Sequence, residues 1–254
     1  MITRSFIIPV LDFSPHSPYN IKTLLKDLEW ISGEVICIFN SKKVYESVYN
    51  NPRINKYCLN SQNAGVSRSW NIGLNLAEGK SAFILNADLH VTEQAINQLE
   101  AYLFALDKAF IVSPEGKLID YERFKRQINT EFDFPKDLIL KQFNSSNIKS
   151  PVKTHDFMGA FFAVHMERLQ CHRLYFDVQF SPCFLEEWDM GLQVMKENLN
   201  CYTVPVDGYE HHMGISLAES DKTVNYFGKF LRRDDILLQN ARAFANKWLK
   251  KCNV

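Results

Sequence analysis

Through the first hundred residues, short continuous apolar runs alternate with stretches whose apolar positions recur every three or four residues. Ser5 to Val10, Glu34 to Phe39, Ile54 to Leu59 and Ser81 to Leu85 read as buried strands. Between them the spacing predicts helices over 19–31, 42–49, 66–77 and 92–106. Ile21, Leu24, Leu25, Leu28 and Ile31 mark the first helix, and Val66, Trp70, Leu74 and Ala77 the third. Gly79 makes a stop and Thr92 an N-cap. Strands that are apolar throughout, rather than at alternate positions, must be covered on both faces. An α/β fold with a mainly parallel sheet and helices on both sides follows. Ligands bind such sheets beyond the C-terminal strand ends, which here means the loops after Val10, Phe39 and Leu85.

From 113 to 155 this periodicity is lost in a charged, Asn-rich stretch containing Pro114, Pro135 and Pro151, expected to be an irregular insertion. Regular structure returns at Phe157 to Val164 and in a helix over Glu187 to Asn198. In the tail, Leu237, Ala241, Phe244 and Trp248 fall on one face of a basic helix. The domain reading is a unit over 1–220, made of halves 1–112 and 156–220 around the insertion, followed by the helical tail 221–254. Packing of the tail on the main unit is favoured over docking on an anionic membrane surface.

Composition narrows the class. The chain has 254 residues, with 29 basic and 29 acidic side chains. That balance argues against disorder and against a nucleic-acid partner. No apolar run has the length to cross a bilayer, and the N-terminus reads as a strand, not a signal peptide. Six cysteines show neither CxxC pairs nor zinc-site spacing. The expectation is a reducing, cytoplasmic setting, with possible peripheral contact at the inner face of the membrane.

Three clusters carry candidate chemistry. Asn86-Ala87-Asp88 directly follows the Ser81 to Leu85 strand, where a carboxylate holds a divalent cation or, alternatively, caps an Asx turn. Glu186-Glu187-Trp188-Asp189 opens a helix. Its carboxylates either complement the helix dipole or, crowded and partly buried, supply a general base. His211 and His212 lie in a loop, as surface residues or as a further metal ligand.

The order of these elements resembles the inverting, family-2-type glycosyltransferases of the GT-A fold, over residues 5 to 216. SFIIPVLDF resembles the family's opening strand and nucleotide-binding loop. Asn63 to Gly73 resembles its Asn-x-Gly…Asn-x-Gly stretch, and FILNADLHV its LNxD form of the DxD motif. FMGAFFAVHMERL resembles the acceptor-side strand, YFDVQFSPCFLEEWDM the GFD…EDxD segment, and HHMGIS the late HxxGxS element. The resemblance implies a UDP-, GDP- or dTDP-linked sugar donor, a saccharide or lipid-linked acceptor, and Mn²⁺ or Mg²⁺. It puts Pro9, Asp12, Asn40, Asn63, Arg68, Asn71, Asn86 and Asp88 around the donor. The metal falls to Asp88 with His211, or His212 in its place. Glu187 takes the place of the base, with Glu186 and Asp189 orienting acceptor or base.

The chain departs from the family at Phe39, where an Asp usually contacts base and ribose; only Asn40 of that pair survives. Phe39 keeps an alternative open, a catalytically weakened GT-A domain acting as a sugar- or nucleotide-binding scaffold. A nucleotidyltransferase is disfavoured because PVLDFSPHSPYN lacks a Gly- and Lys-bearing phosphate loop.

Overall fold

The computed structural model describes residues 2–13, 17–127, 138–212 and 223–248. Its frame is an eight-stranded sheet. The predicted parallel half consists of β1 (Arg4–Val10), β2 (Glu34–Phe39), β3 (Lys56–Leu59) and β4 (Ser81–Leu85), in the order β3-β2-β1-β4. The helices α1 (Ile21–Asp27), α2 (Lys42–Val48), α3 (Val66–Leu76) and α4 (Glu93–Ala105) alternate with these strands as the periodicity requires. Thr92 does cap α4, its hydroxyl accepting from the Ala95 amide at 3.3 Å. Beyond β4 the sheet continues through β10 (Phe161–His165), antiparallel to both its neighbours, β4 and β6 (Ala109–Ser113). It ends at β11 (Asn200–Thr203) and β9 (Val152–Thr154).

Strand pleating sends successive side chains to opposite faces, so each central strand feeds two cores. Phe6, Ile8, Cys37, Phe39 and Phe83 pack under α1, α2 and α4. Ile7, Ile36, Ile38, Ala82 and Ile84 pack under α3, α6 (Met166–Cys171) and α7 (Glu186–Lys196). Phe39 is thus a fully buried core residue at the end of β2. Cys37 lies within the same core, where burial pushes its thiol up to about 12.

The described residues of the stretch 113–155 form regular elements. They include β7 (Glu115–Ile119), α5 (Tyr121–Gln127), β8 (Ile139–Asn144) and β9. β7 and β8 pair antiparallel, with Lys117 opposite Gln142. One face of this ribbon stays open, so its strands carry charged residues and lack the apolar runs of the central sheet. Two other small pairings matter below: β5 (Leu89–Val91) with β12 (Tyr209–His211), and the hairpin β13 (Thr223–Tyr226) with β14 (Lys229–Arg232).

The tail forms α8 (Arg233–Trp248), whose Ala241, Phe244 and Ala245 enter a third core with Phe124, Phe180, Leu185 and Trp188. Its apolar face is therefore occupied by the rest of the chain. Among the described residues no helix is long and apolar enough to cross a membrane.

Candidate active site

A cleft of about 400 Å³ opens at the C-terminal end of β4, and Asn86, Lys117, Asp156, Gly159, Glu186, Glu187 and His211 all contribute to its walls. The sequence separation between these residues is bridged by specific pairings. The Asn86 amide donates to the Ala160 carbonyl at 2.8 Å, and the Leu89 amide to the Asn86 carbonyl at 3.1 Å, which turns the chain sharply out of β4. β5 then pairs with β12 so that His211 lies opposite Leu89. This register brings His211 Nε2 to 3.4 Å from Asp88 Oδ1.

Both ring nitrogens of His211 are buried, and among the described residues neither has a hydrogen-bond partner. An unpartnered buried polar group costs about 1–3 kcal/mol, so this imidazole is suited to a ligand from outside the chain. An imidazole and a carboxylate side by side are a donor pair for a divalent cation such as Mn²⁺. Among the described residues no group of three or more His, Cys, Asp or Glu gathers. His212 is exposed, and its amide lies 3.5 Å from the Asp88 carbonyl. Gly214 and Ser216 of the late motif lie outside the described residues.

The opposite wall is the first turn of α7. Phe184 and Leu185 precede it with φ of 80° and 75°, a left-handed conformation that costs a non-glycine residue about 1–3 kcal/mol. Asn240 of α8 holds this bend, its amide donating to the carbonyls of Phe180, Cys183 and Phe184 at 2.7, 2.8 and 3.0 Å. The bend buries Glu186 and leaves Glu187 half-buried against the cleft. Gly159 makes room for the Glu187 carboxylate, since a Cβ there would stand 2.2 Å from Oε1. Burial pushes Glu187 up to about 7; the nearby Lys117 ammonium pulls the other way and Asp156 adds to the rise. Burial and the adjacent Glu187 hold Glu186 well above the usual carboxylate range.

Lys117 and Asp156 emerge only in three dimensions. The segment after β9 runs along β7, with the His155 amide on the Lys117 carbonyl at 2.8 Å and the Met158 amide on the Glu115 carbonyl at 2.9 Å. Asp156 is thereby buried against β7. It accepts the Lys117 amide at 2.5 Å, the Trp188 indole N–H at 3.1 Å and the Lys117 ammonium at 3.2 Å.

The other sequence-selected residues lie elsewhere. Asp189 is fully buried away from the cleft, bonded to Trp248 Nε1 and Lys247 Nζ at 2.7 Å each and to Gln193 at 2.8 Å. It anchors α8, because helical geometry turns residue 189 about 200° from residue 187. Asn71 clamps the backbone of Phe176, at 2.7 Å to its carbonyl and 3.0 Å from its amide. Asn40 donates to Ser69 and accepts from Asn60 and the Ala64 amide. Asn63 bonds the Asn225 carbonyl, and Arg68 donates to Ser181 at 3.0 Å and to Tyr226 at 2.5 Å. Pro9 is part of β1, and Asp12 accepts from the Phe13 amide at 2.8 Å. The polar atoms of these residues serve the β13–β14 hairpin and the chain itself.

Comparison with known proteins gives this arrangement a context. No curated protein matches the chain in sequence. Among solved structures, GalNAc-T7 with UDP, GalNAc and Mn²⁺ is similar with a TM-score of 0.58 and 14% identity, over 83% of this chain and 44% of that one. S. aureus TarS 1-349 in complex with UDP is similar with a TM-score of 0.55 and 13% identity, over 82% of this chain and 59% of that one. The TarS 1-349 complex with UDP-GlcNAc gives 0.55 and 13%, over 82% and 57%. The chain thus spans less than two thirds of the length of these structures, and shares with them the GT-A fold. The sequence profile of glycosyl transferase family 2 matches residues 19–169, a span running from before α1 into α6 and including Asn86, Asp88, Lys117 and Asp156. With more than half its length matched, the chain belongs to glycosyltransferase family 2.

Proposed function

We propose that this glycosyltransferase moves a sugar from a nucleoside diphosphate to a hydroxyl of a saccharide or lipid-linked glycan, with inversion at the anomeric carbon, in surface polysaccharide synthesis. The observation that carries the reading is one cleft lined by both Glu187 and His211, with Asp88 3.4 Å from the His211 ring. The solved relatives contain UDP or a UDP-sugar, and one of them Mn²⁺, which supports a nucleotide-sugar donor and a divalent cofactor.

Asp88 and His211 would hold the cation. When bound, it offsets the negative charge that builds on the departing diphosphate. Glu187, near 7, is a carboxylate basic enough to take the proton from the acceptor hydroxyl as that oxygen bonds to the anomeric carbon. The bond from that carbon to the diphosphate oxygen breaks on the opposite face, so no covalent sugar–enzyme bond is needed. Burial and the neighbouring Glu187 disfavour a second charge on Glu186 beside the base. The reading places the enzyme on the cytoplasmic side, peripheral where its acceptor is lipid-linked.

A donor panel tests this: purified protein with Mn²⁺ and each common UDP-, GDP- and dTDP-sugar, reading release of nucleoside diphosphate. The expected result is slow hydrolysis of one donor, abolished by EDTA and by Asp88→Ala. No turnover of any donor, together with no metal-dependent nucleotide binding, would overturn the reading in favour of a scaffold.

A further inference from the structure

Lys117 and Asp156 form a charged pair beside Glu187 that the proposed reaction does not itself use. Asp156 is 1% exposed, and burying a carboxylate is costly unless its surroundings answer it. Here the answers come from two elements that both reach the base. Trp188 is the residue next to Glu187 on α7, and its indole N–H ends on Asp156 Oδ2. Lys117 is on β7, opens into the cleft, and ends on the same oxygen. The Lys117 side chain keeps 30% of its surface exposed, whereas that of Asp156 is 1% exposed. The cation therefore faces the cleft from a fixed anionic anchor behind it.

We propose that Lys117 and Asp156 are positioning residues for Glu187: Asp156 fixes the first turn of α7 through Trp188, and its carboxylate shares the Lys117 ammonium with that of Glu187. The inference rests on the proposed function only in taking Glu187 as the base; the contacts of Asp156 with Lys117 and Trp188, and the cleft that Lys117 and Glu187 share, do not depend on that reading. The groups facing Glu187 are few. Lys117 comes from β7, Asp156 from the segment after β9, and Glu186 from α7 itself, while Glu115 and His211 line the same cleft. Cys183 precedes α7, and burial keeps its thiol well above the usual range. Desolvation pulls Lys117 down, but the Asp156 and Glu187 carboxylates overcome it and hold its ammonium above the usual lysine range.

The arrangement predicts opposite effects from removing the two charges. Lys117→Met withdraws the cation, so Glu187 should hold its proton to higher pH, by about 1 pH unit for a charge at this range. Asp156→Asn removes an anion and leaves Lys117 free to serve Glu187 alone, so the midpoint should fall. A loosened fold would not shift the two variants in opposite directions.

The test is ¹³C NMR of protein labelled at the glutamate carboxyl carbon, titrated from pH 4 to pH 9, with the Glu187 signal assigned by its loss in Glu187→Gln. The expected wild-type midpoint is near 7. It should rise in Lys117→Met, fall in Asp156→Asn, and return to the wild-type position in Lys117→Arg, which keeps the cation. Near-ultraviolet circular dichroism confirms that each variant is folded; should Asp156→Asn not fold, Lys117→Met against Lys117→Arg decides the matter. An unmoved midpoint in Lys117→Met, or equal midpoints in Met and Arg variants, would overturn the inference. The readout needs neither donor nor acceptor. A moved midpoint with turnover surviving in Glu187→Gln would sink the base assignment alone.

Discussion

At the scale of single residues, the centre of the site is a carboxylate made basic by its walls. The same burial that raises Glu187 makes its ionisation unfavourable in the folded protein. Its folded value of about 7 stands above the ordinary 4.5, so between those limits the folded state binds more protons than the unfolded one. Stability from this group is full below about pH 4.5 and is lost as pH rises through 7. Thermal unfolding of wild type and Glu187→Gln at pH 5 and pH 8 checks the sign. The glutamine variant should gain melting temperature relative to wild type at pH 8 and less, or none, at pH 5. Gly159 offers a second test at this scale. A methyl group there would meet Glu187 Oε1 at 2.2 Å and the Trp70 ring at 3.2 Å. Gly159→Ala should lower donor turnover on the order of 10²-fold, the cost of misplacing a catalytic group by about an ångström, with nucleotide binding preserved. Calorimetry beside the turnover assay separates the two.

Individual elements explain how so few residues are held in place. The bend before α7 keeps two non-glycine residues at positive φ, and Asn240 on α8 is what restrains it. The C-terminal helix thus holds the segment that leads into α7, and Asp189 serves the same attachment through Lys247 and Trp248. Asn240→Ala would leave three carbonyls without their donor. We expect a loss of roughly 2–3 kcal/mol in unfolding free energy, read by urea denaturation. Turnover should fall more than nucleotide affinity, since Asn86 and Asp88 are positioned by β4 and β5.

Across the whole molecule, the order of elements determines what a sequence reader can find. The β1 to α4 alternation is legible because each strand is apolar on both faces and each helix keeps its period. Asn86, Glu187 and His211 are legible because they follow or open such elements. Lys117 and Asp156 are not: they come from an open ribbon and a connecting segment with no period, and only the pairing of 155–158 with β7 joins them. Asn40 and Asn71 mislead in the other direction. Their residue type suits a ligand, yet their partners are backbone and side chains of this chain, for Asn71 a residue 105 positions away. Phe39 departs from the family at the donor end and is simply core. Under the proposed function a nucleobase would meet other groups, and the donor panel identifies which base is accepted.

The account stands or falls on Glu187 as the base in a cleft that still binds donor. Turnover of the accepted nucleotide-sugar by wild type and Glu187→Gln at pH 8, where Glu187 is ionised, should be measured with nucleotide affinity in the same samples. The predicted result is a turnover loss of about 10²–10⁴-fold with affinity unchanged. Undiminished turnover in Glu187→Gln would contradict the account.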